Sequence, residues 1–386
     1  MENRINTLPD AVLCHILSFL PTREAITTSV LSKRWKPLWL SVPTLDFDDC
    51  RDIKNHEEYS RFVQLVYAVI LSRELHQPIK EFFLTCWSYD CEDTNVNIWV
   101  TAALRRRIEY LELCLRSTIS FPSSILSSRT LVVLNLIGSA VRSLSRVDFP
   151  ALKILHFNFV RFLERRYLAE FLSGCPVLED LETNGLYFSN NLLNVGECKS
   201  LSKLVRAYIS KTHIPLEAVN NVESLRIDWL DDVNDKDMTP SIKFLIPEFY
   251  NLTHIELTYF YFNMNWVELV EVLKHCPLLQ VLIINQNRDF VVESNGGDWP
   301  YPQSVPKSIS LHLQTCRLNN YRGSNGEFRF ARYIMQNARL LRTMTICLSK
   351  YANLREKMEM IKNLSMCTRG SETCELHVNE TVTDGI

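Results

Sequence analysis

Apolar positions along the chain follow two rhythms. In residues 8–21, LPDAVLCHILSFLP, Val12, Leu13, Ile16, Leu17 and Leu20 recur at helical spacing and predict an amphipathic helix. Pro9 and Asp10 suit its start, because proline has no N–H to lose there and a carboxylate favours the positive end of the helix dipole. Pro21 and Thr22 close it and open a second helix, REAITTSVL. Ser32 is placed to cap a third, KRWKPLWLSV, with Pro37 within or near its first turn. Three helices this short bury too little to stand alone, yet the segment is apolar on more than one side and carries Trp35 and Trp39. The pattern therefore predicts a partner that covers part of it.

The second rhythm begins near residue 105, where L-x-x-L-x-L keeps returning. The middle positions of eight such triplets, 111, 134, 155, 181, 204, 225, 255 and 282, differ by 23, 21, 26, 23, 21, 30 and 27. Such intervals fit repeats of roughly 20–29 residues, each a short strand with a turn and a return, stacked into a curved solenoid with a continuous core. Thr183 and Arg206 fall on apolar positions of their triplets, Leu178-Leu181-Thr183 and Leu201-Leu204-Arg206. The Asn or Cys expected three residues after the last strand leucine appears only at Asn287, with Arg116, Ser139, Val160 or Phe260 elsewhere, so irregular curvature is expected. SGCPVLEDL (173–181) and KHCPLLQVL (274–282) each follow a helix-like apolar run, which places Cys-Pro at a helix-to-strand corner. Before the repeats, EEYSRFVQLVYAVILSREL reads as a helix and IKEFFLTCW as a strand, leaving little room for a flexible linker. After the loop-like ESNGGDWPYPQ (293–303), SVPKSISLHL reads as a strand and GEFRFARYIMQNARLLRTMTICLS as a helix then a strand. YANLREKMEMIKNLSMC reads as a helix and SETCELHV as a final edge strand. The fold class is α/β.

Composition narrows the function. The 386 residues are 46% hydrophobic and 22% charged, with formal net charge −2, so no global field favours nucleic acid or an anionic membrane. Ten glycines are few for Gly-rich phosphate loops. No stretch reaches the roughly 18 apolar residues of a membrane span, and MENRINTLPD lacks the apolar core of a secretory signal. The expectation is a soluble, intracellular protein of the nucleus, the cytoplasm or both. The twelve cysteines form no C-x-x-C pair, and Cys86 and Cys91 lack partners at zinc-finger spacing. We therefore expect free thiols, no metal site and, in Asn251-Leu-Thr253, Asn363-Leu-Ser365 and Asn379-Glu-Thr381, chance sequons.

Candidate chemistry is sparse. No nucleophile elbow, H-E-x-x-H, Walker or dinucleotide fingerprint is present, and Gly296-Gly297 and Gly323/Gly326 read as loop glycines. No catalytic residue and no cofactor are expected. Arg105-Arg106-Arg107 and Arg161/Arg165/Arg166 are the basic clusters. They read first as solvated faces, and otherwise as contacts to an acidic substrate or a polyphosphate.

LPDAVLCHILSFLPTREAITTSVLSKRWKPLW resembles the F-box of plant F-box proteins, above all in LPD, ILSFLP, SVLSKRW and the closing LW. The resemblance implies docking on the Skp-type adaptor and, through it, the cullin and RING subunits of a ubiquitin ligase. It assigns adaptor contact to Leu8, Pro9, Ile16, Leu17, Leu20, Pro21, Val30, Leu31, Arg34, Trp35, Leu38 and Trp39, some of them as the module's own core. The GCPxLExL phrases are similar to those in the leucine-rich repeats of plant F-box proteins. Trp299, Val305, Pro306, Tyr321, Gly323, Glu327, Tyr333, Ile334, Asn337, Ala338 and Leu341 resemble the signature of the FBD domain that ends many of them. Together these imply an F-box over 3–50, a first cap-like unit over 51–104, degenerate leucine-rich repeats over 105–295 and a capping FBD segment over 299–386. The expected role is a non-catalytic substrate receptor for an unidentified target protein. The alternative is a scaffold that binds adaptor without recruiting cullin.

Overall fold

The computed structural model describes residues 4–50, 53, 55–74, 77–88, 90–190, 198–210, 214–228, 246–260, 262–286 and 302–380. The chain divides into two compact units, Met1–Lys203 and Leu204–Ile386.

In the first unit, helices α1 (Asp10–Leu17) and α2 (Thr22–Thr27) form where the apolar spacing puts them. The expected third helix does not form. The chain beyond Ser32 runs through turns into a short 3-10 turn, Leu38–Ser41. Pro37 accounts for this, since it offers no N–H and disfavours helical backbone in the residue before it. Strand β1 (Thr44–Asp48), which the sequence reading missed, follows directly. Next come α3 (His56–Ser72), β2 (Glu81–Cys86), α4 (Asp93–Leu104), β3 (Tyr110–Leu115), β4 (Val133–Ile137) and the short β5 (Ala140–Val141). The unit ends with β6 (Ile154–Asn158), β7 (Arg161–Glu164), α5 (Arg165–Ser173), β8 (Asp180–Asn184) and β9 (Tyr187–Asn190).

Strands β1, β2, β3, β4, β6 and β8 pair in that order, all parallel. Their register places Leu45, Phe82, Leu111, Leu134, Leu155 and Leu181 in one buried row and Phe47, Leu84, Leu113, Leu136, Phe157 and Thr183 in the next. Thr183 thus holds an apolar position of the pattern while remaining buried. Strands β5, β7 and β9 form a second short parallel ladder. Each corner between the ladders is turned by one residue in the left-handed region: Gly138 (φ 77), Phe159 (φ 54) and Gly185 (φ 59). The next residues, Ser139, Val160 and Leu186, are buried. Ser139 and Val160 stand where a regular repeat carries its Asn, so here the corner rests on backbone handedness and packing. Asn287 lies outside the described residues.

Cys86 and Cys91, expected as free thiols, are joined by a disulfide. The buried Asp49 carboxylate accepts the Trp87 and Ser88 N–H groups at 2.8 and 2.9 Å, and the Cys91 N–H donates to the Ser88 carbonyl at 3.2 Å in the turn after β2. Cys175 and Cys276 fill the helix-to-strand corners as expected, each buried and donating to a carbonyl four residues earlier.

The second unit contains β10 (Arg206–Ser210), β11 (Ser224–Asp228), β12 (His254–Phe260), α6 (Phe262–Lys274), β13 (Val281–Gln286) and β14 (Thr315–Tyr321). It closes with α7 (Asn325–Asn337), β15 (Thr343–Leu348), α8 (Leu354–Ser365) and β16 (Glu375–Glu380). These strands too are parallel and paired in chain order. Two expectations are corrected. Ala207, not Leu204, is the register partner of Leu225, so the triplet is Leu204-Ala207-Ile209 and Arg206 faces outward. SVPKSISLHL is not a strand: Ser308–His312 forms a π-helical turn, because Ile309 and Leu313 are buried at helical spacing while Leu311 is exposed. Helices α7 and α8 begin with capping boxes built by Ser324/Glu327 and Asn353/Glu356. Leu376 and Val378 of β16 are register partners of the buried Met344 and Ile346, yet are themselves half-buried. Among the described residues no strand covers their other side. No helix of the described residues is long and apolar enough to cross a membrane.

Candidate functional site

The N-terminal helices pack around a small core of Leu13, Cys14, Leu17, Ala25, Trp35, Leu38 and Val42, with Leu8 and Leu20 at its margin. Arg34 ties the ends of this segment together. Its guanidinium donates to Asp10 at 2.6 and 3.0 Å and also to the Leu8 carbonyl. The Cys14 thiol, pushed up by burial and by the nearby Asp10 charge, donates to the Leu38 carbonyl.

This core divides the twelve predicted docking residues. Leu17, Trp35 and Leu38 are buried, and hold the module together rather than face a partner. Leu8, Leu20, Pro21, Arg34 and Trp39 are half-buried, and Pro9, Ile16, Val30 and Leu31 are exposed, Val30 by 85%. Three exposed apolar side chains were missed, Ile5, Val12 and Phe19, the last 75% exposed. A signal for two of them was present. Apolar doublets at 12–13, 16–17 and 19–20 are too broad an arc for one buried stripe: Leu13, Leu17 and Leu20 turn inward, so Val12, Ile16 and Phe19 turn out. Exposed large apolar groups on so small a module are the signature of a surface meant to be covered.

One buried arginine ties this module to the end of α3, and a second holds the end of α3 in turn. Arg73, at the end of α3, donates to the Val42 carbonyl at 2.6 Å and the Trp39 carbonyl at 2.7 Å. Burial, with the Arg106 charge nearby, draws its pKa down to about 10. Arg106 donates to the carbonyls of Ile70 and Arg73 at 2.8 and 3.1 Å. Arg106 is therefore a buried internal clamp and not part of a solvated basic face. The second cluster is also engaged: Arg166 pairs with Glu164 at 2.5 Å, holding that carboxyl below its ordinary range, and Arg165 stacks on the Phe188 ring. Asp48, Asp49 and Cys50 form an acidic group, but Asp49 is committed to backbone N–H groups. Trp299 lies outside the described residues, while Tyr321, Glu327 and Leu341 of the C-terminal signature are buried, with Glu327 serving the α7 cap.

Comparison with known proteins accords with this architecture. Residues 5–46 match the F-box domain, 70–187 the At1g61320/AtMIF1 LRR domain and 301–346 the FBD domain. An N-terminal F-box ahead of a parallel repeat sheet defines an F-box protein with leucine-rich repeats. FBD-associated F-box protein At4g10400 of Arabidopsis thaliana is 30% identical over 97% of this chain and 99% of its own length. F-box/FBD/LRR-repeat proteins At4g00160 and At4g26340 of the same plant are 29% and 28% identical over 97% of this chain and 94% and 99% of theirs. The chain belongs to this family of FBD-associated, leucine-rich-repeat F-box proteins.

Proposed function

We propose that this chain is the substrate-recognition subunit of a Skp–cullin–F-box ubiquitin ligase. The F-box docks the Skp-type adaptor, and the repeat and FBD segments hold the target protein. The observation that carries this reading is the set of exposed apolar side chains, Val12, Ile16, Phe19, Val30 and Leu31, on a module matching the F-box domain. Burying such groups contributes roughly 25 cal/mol per Å² before ordering costs, and the half-buried Arg34 and Trp39 stand at their margin. The chain itself performs no chemistry in this reading. It raises the effective concentration of the target's lysines near a charged carrier.

The test is capture from plant extract by tagged full-length protein. Wild type is expected to retain the adaptor and cullin, and Ile16→Asp/Val30→Asp to lose at least tenfold of both while keeping its circular-dichroism spectrum. Adaptor without cullin would establish the scaffold alternative. Equal capture by wild type and variant would remove this surface from the docking role.

A further inference from the structure

The parallel sheet of the first unit turns one face inward and leaves the other open. Its six strands, β1, β2, β3, β4, β6 and β8, present three outward positions each, and these alternate with the buried rows. Six of those positions are acids: Asp46, Asp48, Glu81, Glu112, Asp180 and Glu182. None is lysine or arginine. The chain as a whole carries only −2, so this face concentrates negative charge that composition hides.

Several of these carboxylates are oriented by neutral groups. Thr44 donates to Glu81 at 2.9 Å, and Tyr110 and Asn135 donate to Glu112 at 2.9 and 3.1 Å. Hydrogen bonds from hydroxyl and amide fix a carboxylate without cancelling its charge. Between the acids the face mixes aromatic and aliphatic side chains with Asn135 and His156, and the His156 Nε2 lies 3.5 Å from Asp180. Phe83 and Tyr110 lie 4.9 Å apart across neighbouring strands, and Val133 and Ile154 continue beside them, all half-buried. A cation above such rings gains from both the ring face and the carboxylates.

From this we infer that the open face of the first unit's sheet docks an extended, lysine- and arginine-rich segment of the recruited protein. The inference rests on the substrate-receptor reading and names the class of substrate. The occupant is set by charge complementarity, because a neutral or acidic segment would meet desolvation and repulsion with no compensating partner. Spacing adds a constraint. Strands lie about 4.8 Å apart, so Asp46, Glu112 and Glu182, at equivalent register positions, are about 10 and about 14 Å apart along the row. An extended chain crossing the strands advances about 3.3 Å per residue and turns every second side chain toward the sheet, so basic residues at alternate positions are the ones that reach the row of acids.

The experiment uses the full chain co-expressed with adaptor, and fluorescence anisotropy of a fluorescein-labelled synthetic peptide of about twelve residues. This peptide carries lysines at alternate positions with valine and leucine between them. A second peptide replaces each lysine by glutamine. Wild type is expected to bind the lysine peptide, more weakly as salt rises, and to ignore the glutamine one. Glu112→Gln/Glu182→Gln should weaken binding about tenfold, and Glu182→Lys alone should do the same by an independent change. Glu256→Gln, on the second unit, should leave it unchanged. No binding by wild type, or binding undiminished in both face variants, would overturn the inference. Adaptor retention, measured in the same samples, reports separately on the receptor reading: its loss would sink that reading whatever the peptide does.

Discussion

Neighbouring residues of α1 do opposite jobs. Leu17 is buried and Ile16 exposed, so substitution at each should separate folding from docking. Leu17→Ala is expected to cost about 2–5 kcal/mol by chemical denaturation, as truncation of a packed leucine does. Ile16→Ser should leave stability within about 0.5 kcal/mol, the range of surface changes. The apolar doublets made this division legible, but which member of each pair turns inward is set by Trp35 and Leu38, and no local rule supplies that. Cysteine roles were less legible. Burial pushes the Cys175 and Cys276 thiols up to about 12, and burial with Asp49 and Asp48 does the same for exposed Cys50. Native protein treated with iodoacetamide at pH 8 should leave all three largely unmodified by mass spectrometry, since the thiolate is the reactive form. Rapid alkylation of Cys50 would show that its carboxylate neighbours do not hold the proton.

The elements were readable where one period dominated. The leucine triplets of β3, β4, β6 and β8 carry the two-residue alternation, and each lies in register with the next. The triplet at 201–206 misled because leucines 201 and 204 precede the strand, and only pairing with β11 fixes which residues turn inward. SISLHL misled in the opposite way, alternating like a strand while packing like a helix. The corners carry a sharper prediction. A Cβ on Gly138 would lie 2.0 Å from the Leu115 carbonyl oxygen, and its φ of 77 already disfavours any L side chain. Gly138→Ala should therefore destabilise by more than about 2 kcal/mol, read as a shift of the urea midpoint. Phe159 turns the equivalent corner with its side chain exposed, so Phe159→Gly should be far better tolerated in the same measurement.

At the scale of the molecule, the spacing of leucines foretold stacked parallel units, because each unit can bury its strand only against the next. It could not foretell β1, which adds a strand to the stack at the end of the segment that matches the F-box and runs past it. Nor could it foretell the state of the last coil. Beta strand β16 covers Met344 and Ile346 while leaving Leu376 and Val378 half-buried. Removing residues 366–386 should bare the β15 edge and its apolar row. Size-exclusion chromatography is expected to show self-association or precipitation of the truncated chain; a monodisperse monomer of unchanged stability would mean that β16 protects nothing.

The joint between the N-terminal helices and β1 bears on protein engineering. The matched domain ends at residue 46, in the middle of a strand whose Asp46 N–H donates to Thr22, while the carbonyls of Trp39 and Val42 are held by Arg73 beyond it. A docking cassette cut at the domain boundary for grafting onto another receptor would split β1 and strand two carbonyls without their donor. A transferable cassette has to extend through α3 and β2, because β1 pairs with β2 and Arg73 at the end of α3 holds the two carbonyls, and this joint offers no slack to lengthen.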